Sequence, residues 1–150
     1  MSDSGSVTIT VGPVDINLSP VGFRIWAGHY LKCKRDFQSP DPFSPVPYFL
    51  LCRAIELELK ARHLEALRQK EVKDRFGHNL FRAYAALPPA GQTLDQNEVA
   101  VLKAANKIYM GKGFEYFSVI DAVTAFKRFP DLAALEVIAE KLVGNVQPGR

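Results

Sequence analysis

The longest predicted helix is encoded by residues 45–69, which read PVPYFLLCRAIELELKARHLEALRQ. At about 100° per residue, the apolar side chains of this stretch form one broad face suited to a helical core. Four ionisable residues interrupt that face within roughly a quarter turn of one another: Arg53, Glu56, Lys60 and His63. Since unpaired buried charges are costly, the stretch predicts a buried polar network. Its solvent side is predicted at Glu58, Arg62 and Glu65.

The rest of the chain predicts further helices. Apolar residues recur at helical spacing in residues 23–37, 78–87, 95–110 and 131–143, with a short helix around residues 119–126. The first of these has a thick aromatic face. Four prolines within residues 39–47 and a bend at Gly77 separate neighbouring helices, while Asp95 with Glu98 has the spacing of a capping box. The predicted fold class is all-α, an up-and-down bundle of about five helices.

The N-terminus has a different pattern. Residues 7–11, Val-Thr-Ile-Thr-Val, alternate apolar and polar side chains as a strand does, before Gly12 and Pro13 break the run. We therefore expect an N-terminal arm at residues 1–21, extended or with a short β segment. A helical bundle at residues 22–143 and a mobile tail at residues 144–150 would complete one domain.

Composition excludes several classes of protein. Hydrophobic residues make up 47% of the chain and charged residues 23%, which is typical of a soluble globular domain. Neither a signal peptide nor an apolar stretch of membrane-spanning length is present, so the sequence predicts a cytoplasmic protein without a membrane partner. Cys33 and Cys52 are too few for a disulfide scaffold and lie apart from other metal ligands. We expect neither a metal nor a cofactor.

The positive charge of the chain is concentrated in one region. Residues 51–84 contain eight Lys or Arg against five Asp or Glu, which accounts for the whole net charge of +3. This bias permits an acidic partner such as RNA or a nucleotide. A solvated helical surface would explain it equally well.

Three motifs follow one another along the chain. They are the stretch 47–60, the step Gly77-His-Asn-Leu80, and the segment from Asn106 to Tyr109 that continues into Lys112-Gly-Phe-Glu-Tyr116. In this order they resemble the HEPN superfamily, the higher eukaryote and prokaryote nucleotide-binding domains. The resemblance implies a helical bundle that pairs into a homodimer. It also implies a nucleotide, RNA or a separate nucleotidyltransferase as partner.

Many members of that superfamily are metal-independent ribonucleases, whose motif is an Arg followed a few residues later by a His. This chain departs from the motif, because the positions expected to hold the Arg before His78 are residues 71–73, Glu-Val-Lys. Arg75 lies too close to His78. A literal match at Arg24 and His29 lies on the first helix, where the family does not place its catalytic pair. We interpret that match as coincidence.

His78 has two interpretations. A helix that begins at His78 would offer free N–H groups and a positive dipole end, with Arg75 and Arg82 nearby, as an anion site. In a ribonuclease, the imidazole would transfer a proton and a cation would stabilise the phosphorane. Alternatively, the ring bonds a neighbouring backbone group and tightens the turn after Gly77. We favour this second interpretation.

These observations predict a HEPN-like domain without catalytic activity that binds a nucleotide, RNA or another protein. One alternative is a metal-independent endoribonuclease of the toxin or defence type, with His78 and either Arg75 or Lys73 as catalytic residues. Another is a purely structural dimerisation domain, in which Glu56 and Lys60 form an ion pair that fixes helix register. The residues predicted to bind a ligand or form the polar network are Arg53, Glu56, Lys60, His63, Asn79, Tyr109, Lys112, Glu115 and Tyr116.

Overall fold

The computed structural model describes residues 19–144, and these form seven α-helices and one 3-10 turn. The helices are α1 (Ser19–Asp36), α2 (Val46–Leu64), α3 (Gln69–Phe76), α4 (Leu80–Ala85), α5 (Gln96–Met110), α6 (Val119–Val123) and α7 (Leu132–Val143), and the 3-10 turn is Pro89–Gly91. The all-α class is confirmed, since this part of the chain contains no strand. The strand predicted at residues 7–11 and the tail at residues 145–150 lie outside the described residues.

The boundary between the N-terminal arm and the bundle differs from the prediction. The arm was expected to reach residue 21, but α1 begins at Ser19, so residues 19–21 are helical. Pro20 is compatible with this start because the first turn of a helix does not need its N–H group. The boundary between arm and bundle therefore lies before Ser19.

The helix predicted to reach Gln69 ends earlier, and a separate helix follows it. The N–H groups of Ala66 and Leu67 both donate to the His63 carbonyl, at 3.1 and 2.9 Å, which tightens the end of α2. Arg68 is then extended, with φ −81° and ψ 158°. This break redirects the chain, so that α3 buries its apolar residues beside α2. The count of seven helices exceeds the predicted five partly for this reason.

The central helix is α2, which contacts α1, α3, α4, α5 and α7. Thirteen of its 19 residues are buried, so the helix has little solvent side at all. The predicted solvent side is therefore wrong at Glu58, which is 5% exposed. The Arg62 side chain beside it reaches the Leu142 carbonyl at the end of α7, which places this side of α2 against α7.

Sequence signals do place the ends of two helices correctly. Asp95 and Glu98 form the predicted capping box at the start of α5, with reciprocal bonds of 2.8 and 3.1 Å, and Gly111 ends that helix. Asp131 caps α7 by accepting from the Ala134 N–H at 3.0 Å. Among residues 19–144, no helix combines the length and the apolar character needed to cross a membrane.

Candidate functional site

Glu56 is the centre of the polar network on α2. Its side chain is 2% exposed, and it accepts a bond from Lys60 Nζ at 2.7 Å and one from Arg53 Nη1 at 3.1 Å. The Tyr109 hydroxyl on α5 donates to the same carboxylate. His78 Nδ1 lies 2.8 Å from Glu56 Oε1. Four groups from α2, α5 and the loop before α4 thus converge on one buried carboxylate.

The electrostatics keep this carboxylate ionised. Burial raises the pKa of Glu56, but the bonds from Lys60 and Tyr109 and the nearby cations outweigh burial and lower the pKa overall. Burial and the Glu56 charge both raise the pKa of Tyr109, so its hydroxyl keeps the proton that it donates. Burial opposes the charge of Arg53, yet Glu56 raises the pKa of this guanidinium overall. The network therefore contains one anion and two cations, before any charge on His78.

His78 is the solvent-facing member of the network, with a side chain 66% exposed. Its ring meets the Tyr109 ring edge to face, with centroids 6.4 Å apart. The predicted bond to a neighbouring backbone group is wrong, because Nδ1 instead pairs with the Glu56 side chain. With Nδ1 held in this way, Nε2 is the nitrogen that can reach a ligand.

The alternative interpretation, an anion site at a helix that begins at His78, does not fit the structure either. Helix α4 begins at Leu80, two residues beyond His78, and Asn79 is its N-cap. The Arg82 N–H donates to the Asn79 side chain at 3.0 Å, and the Leu80 N–H donates to Asn106 Oδ1 at 2.8 Å. Side chains thus already occupy these donors. Asn79 does not contact Glu56; its Oδ1 caps α4 and also accepts from Asn106 Nδ2 at 2.9 Å.

His63 shares the helical stripe but not the network. Its ring Nε2 lies 2.7 Å from the Ala83 carbonyl, and the ring stacks on Phe76 at a centroid distance of 4.3 Å. Both contacts lie in the core between α2, α3 and α4. His63 is therefore a satisfied core residue and not part of the candidate site.

Three cavities open along the side of α2 that carries the network, and together we call them the α2 groove. The central cavity, of about 480 Å³, lies between α1 and α2. It is lined by Ser19, Gly22, Phe23, Trp26, Arg53, Leu57, Lys60 and His78. The cationic members of the Glu56 network therefore face the same space as two aromatic rings of α1.

The flanking cavities share walls with the central one. A cavity of about 450 Å³ toward α3 shares Phe23 and Lys60 with it and adds Lys70 and Lys73. A cavity of about 310 Å³ toward α5 shares Arg53 and His78 with it. The latter is lined by Tyr30, Phe49, Arg53, His78, Tyr109, Met110, Lys112 and Glu115. Lys60 thus lies between the central cavity and the one toward α3, and Arg53 lies between the central cavity and the one toward α5.

Five of the nine residues predicted to bind a ligand or form the polar network line this groove: Arg53, Lys60, Tyr109, Lys112 and Glu115. Tyr109, Lys112 and Glu115 line its α5 end. Tyr116 lies elsewhere, in a separate small cavity beneath α6. Arg75 is exposed on α3 and lines none of the three cavities.

Sequence reasoning missed the contribution of α1. The sequence predicted a thick aromatic face on this helix but not that it lines a cavity; the buried side chains of α1 are Ala27 and Leu31, while Phe23 and Tyr30 are partly buried. Trp26 is 62% exposed and lines the central cavity. Helix geometry is the signal that could have predicted this exposure, since Trp26 lies roughly 100° around the helix from the buried Ala27.

Comparison with known proteins gave no relative from which a function could be transferred. No protein-family model, curated protein or solved structure matches this chain. Within residues 19–144, no group of three or more His, Cys, Asp or Glu side chains is placed to hold a metal ion. Function must therefore be argued from the groove itself.

Proposed function

We propose that this chain binds a nucleotide or a short stretch of single-stranded RNA in the α2 groove. The observation that carries the proposal is the lining of the central cavity, where Arg53, Lys60 and His78 face the rings of Phe23 and Trp26. Arg and Lys bind phosphate oxygens, and aromatic rings stack on bases. A phosphate and its base would both find partners within this cavity.

The buried Glu56 carboxylate supports phosphate binding by holding the cations in place. Arg53 Nη1 donates to Glu56, and its guanidinium also interacts with the hydroxyls of Tyr30 and Tyr109, so the side chain is held at the cavity wall. Its position is fixed before a ligand arrives, so less side-chain entropy is lost on binding. Because Arg53 and Lys60 share one carboxylate, an excess of positive charge remains at the cavity wall.

The flanking cavities favour a ligand longer than a mononucleotide. The cavity toward α3 adds two lysines, and the cavity toward α5 adds Tyr30, Tyr109 and Lys112. Among the described residues that line the groove, Glu115 is the only one with an acidic side chain. Cations interleaved with aromatic rings are typical of proteins that bind single strands without reading sequence.

Trp26 provides a direct assay, because it is the only tryptophan in the chain. Titration with mononucleotides and with mixed-sequence RNA oligonucleotides should quench its fluorescence as bases stack, and affinity should fall with rising salt. Arg53→Gln should weaken binding at least tenfold. Arg75→Gln removes a similar charge outside the groove and should have little effect.

Two results would overturn this proposal. One is the absence of both binding and quenching at low salt. The other is an equal loss of affinity in Arg53→Gln and Arg75→Gln, which would indicate non-specific attraction to a basic surface.

A second candidate function is RNA cleavage, favoured by the pairing of His78 with Glu56. A carboxylate on Nδ1 fixes the orientation of the ring, which leaves Nε2 to exchange a proton with a ribose hydroxyl. Arg53 would then stabilise the charge on the phosphorane. The geometry favours Arg53 over the predicted Lys73 and Arg75 for this role, because Arg53 and His78 line the same two cavities.

Cleavage is tested by incubating the protein with mixed RNA in the presence of a chelator. His78→Ala should abolish cleavage, whereas His29→Ala, which changes a histidine on α1, should not. Absence of cleavage by the unaltered chain at high concentration, together with RNA binding, would leave binding as the function. Cleavage that survives His78→Ala would indicate a contaminating nuclease.

The HEPN relationship is proposed on the same residues. What supports it is that Glu56, His78 and Tyr109, from three motifs separated in the chain, are in contact. The homodimer and the nucleotidyltransferase partner that the resemblance implies remain predictions. A purely structural dimerisation domain would instead require that neither nucleotides nor RNA raise the melting temperature.

A further inference from the structure

The α5 end of the groove contains an acidic side chain among groups that bind phosphate. Glu115 lines this cavity together with Arg53, His78 and Lys112. Its carboxylate forms no hydrogen bond or ion pair with any other described residue. A carboxylate repels phosphate, so it opposes the binding of a nucleic-acid backbone. Its position in a cationic groove therefore indicates a part of the ligand that donates hydrogen bonds.

The loop that carries Glu115 is held in a defined conformation. Lys112 has φ +58°, in the left-handed region that side chains other than Gly's avoid. The Gly113 N–H donates to the Ile108 carbonyl at 2.8 Å. A Cβ atom at Gly113 would lie 2.7 Å from Ile108 Cγ2, so a larger residue there would displace the loop. The turn after α5 is therefore packed directly against the last turn of that helix.

Phe114 anchors the same loop in the core. This residue is 4% exposed, and its ring stacks on the ring of Tyr48 at a centroid distance of 5.3 Å. Glu115 follows Phe114 directly, and its N–H donates to the Lys112 carbonyl at 3.1 Å. The backbone of Glu115 is thus fixed at the cavity wall before a ligand binds, which reduces the entropy lost on binding.

The rest of this cavity has the character of a site for a flat base. Tyr30 and Phe49 are partly buried, and both line the cavity together with the exposed Met110. Aromatic side chains offer surfaces on which any base can stack. The volume of about 310 Å³ lies at the lower limit of pockets that hold a small molecule, about 300 Å³. The cavity therefore has room for one base rather than for several.

The α5 cavity shares its phosphate-binding groups with the central cavity. Arg53 and His78 line both of them. A phosphate at this junction would have one base beside Trp26 and the neighbouring base beside Glu115. The second of these bases is the one whose edge can meet a carboxylate.

We propose that Glu115 selects guanine at this position of a bound RNA, an inference that rests on the proposed binding of RNA in the α2 groove. An ionised carboxylate accepts hydrogen bonds through both oxygens and donates none. The Watson–Crick edge of guanine carries two adjacent donors, N1–H and the N2 amino group, so that each oxygen can accept one bond. On the same edge of adenine, cytosine or uracil, the single donor lies beside an acceptor, which a carboxylate repels. The cations and rings of the groove do not make this distinction, because they bind phosphate and the faces of bases.

The test uses trinucleotides of uridine in which the central base is guanine, hypoxanthine, adenine or uracil. Inosine, the nucleoside of hypoxanthine, lacks only the N2 amino group of guanosine, so this pair isolates one of the two bonds. Titrations followed by Trp26 fluorescence should show that the unaltered chain binds the guanosine trinucleotide about tenfold more tightly than each of the others. Glu115→Gln should reduce that preference to less than about twofold. The same variant should bind the all-uridine trinucleotide at least as tightly as the unaltered chain, because a charge that repels phosphate is gone.

Two further variants separate selection from charge alone. Glu71→Gln is the matched control, because Glu71 is exposed on α3 and lines none of the three cavities, and it should keep the full preference for guanosine. Glu115→Asp keeps the charge but withdraws the carboxylate by one methylene group, so it should lose most of the preference. Circular dichroism establishes that each variant is folded.

Each contrary result has a distinct meaning. Equal affinities of the unaltered chain for the guanosine and inosine trinucleotides would overturn the inference and leave RNA binding in the groove intact. A preference for guanosine that persists in Glu115→Gln would also overturn it, since another residue would then select the base. An equal loss of affinity for all four trinucleotides in Glu115→Gln would mean that Glu115 supports the groove and does not select a base. If none of the trinucleotides binds, the proposed function itself fails, and selection by Glu115 fails with it.

Discussion

Glu56 and Glu58 are two buried carboxylates on one helix that differ in how they are satisfied. Glu56 has four polar partners, and its pKa is lowered. Glu58 accepts one bond from Arg62 at 3.2 Å and lies 3.6 Å from Arg24, but its buried Oε2 has no hydrogen-bond partner among the described residues. Burial dominates there and raises the pKa of Glu58. Two carboxylates that are only two residues apart on α2 thus differ in whether all their oxygens have hydrogen-bond partners.

The difference teaches which of the two clusters is organised around a site. The groups that bond Glu56 come from three separate elements, and three of them, Arg53, Lys60 and His78, face the central cavity. The Glu58 cluster joins α2 to α1 through Arg24 and to α7 through Arg62, without lining the groove. The first cluster therefore positions groups for a ligand, whereas the second fastens helices together.

The largest expected effect comes from neutralising each carboxylate. Glu56→Gln leaves Arg53 and Lys60 without their anion, so we expect a loss of about 3 kcal/mol in the free energy of unfolding. Glu58→Gln should change it by less than about 1 kcal/mol, because the raised pKa of Glu58 shows that the folded state already disfavours its charge. Urea unfolding at neutral pH measures both.

The matched pair also tests the functional assignment. Of the two variants, Glu56→Gln should also weaken ligand binding, since it alone changes the support of Arg53 and His78. If Glu58→Gln proves as damaging as Glu56→Gln in both stability and binding, the distinction between the clusters is wrong.

The sequence predicted the ion pair of Glu56 but not the burial of Glu58. The spacing of Glu56 and Lys60 predicted their ion pair correctly, because a four-residue separation on one helix is a local property. The burial of Glu58 depends on α7, a helix far away in the chain, so local periodicity assigned it to solvent. The ring of His78 found its partner on α2 for the same reason, through a long-range contact that no local pattern encodes.

The helix boundaries likewise divide into those set by local residues, which the sequence predicts, and those that depend on contacts distant in the chain. The capping residues Asp95 and Asp131 act within a few residues, and both were predicted correctly. No Gly or Pro marks the break between α2 and α3, and beyond it α3 buries Val72 and Phe76 in the core. The exposure of Trp26 likewise depends on where α1 lies relative to α2, which residue spacing alone does not determine.

The next effect in size concerns the tyrosine that donates to Glu56. Tyr109→Phe removes a charge-assisted bond and should cost about 2 kcal/mol. Tyr48→Phe is the matched control, because its buried hydroxyl donates to the neutral Pro130 carbonyl at 2.8 Å and should cost about 1 kcal/mol. Thermal and urea unfolding of both variants give the difference. Equal losses would mean that the Glu56 charge adds nothing to its bond with Tyr109.

The two carboxylates should have opposite effects on the pH dependence of stability. Because the folded-state pKa of Glu56 lies below its ordinary value of 4.5, its contribution is present above that pH and is lost as the pH falls through the lowered pKa. The pKa of Glu58 lies above 4.5, so its ionisation destabilises the fold as the pH rises through the raised pKa.

Melting temperatures between about pH 3 and pH 7 distinguish these effects. The advantage of the unaltered chain over Glu56→Gln should shrink below about pH 4.5. Any advantage of Glu58→Gln should be greatest near neutral pH and shrink as Glu58 becomes protonated on acidification. Parallel curves for all three proteins would contradict both assignments.

The smallest expected effect tests whether the Glu58 cluster depends on its outer cation. Arg24 is 40% exposed, and its closer partner is Glu65 at 2.5 Å, so Arg24→Gln should cost about 0.5 kcal/mol. Lys60→Gln should cost several times more, because Lys60 is 16% exposed and lies 2.7 Å from an ionised, buried carboxylate. Urea unfolding of the two variants gives the ratio. A loss in Arg24→Gln that equals the loss in Lys60→Gln would mean that Glu58 is held by its cations as firmly as Glu56, and that its unpaired oxygen has little energetic consequence.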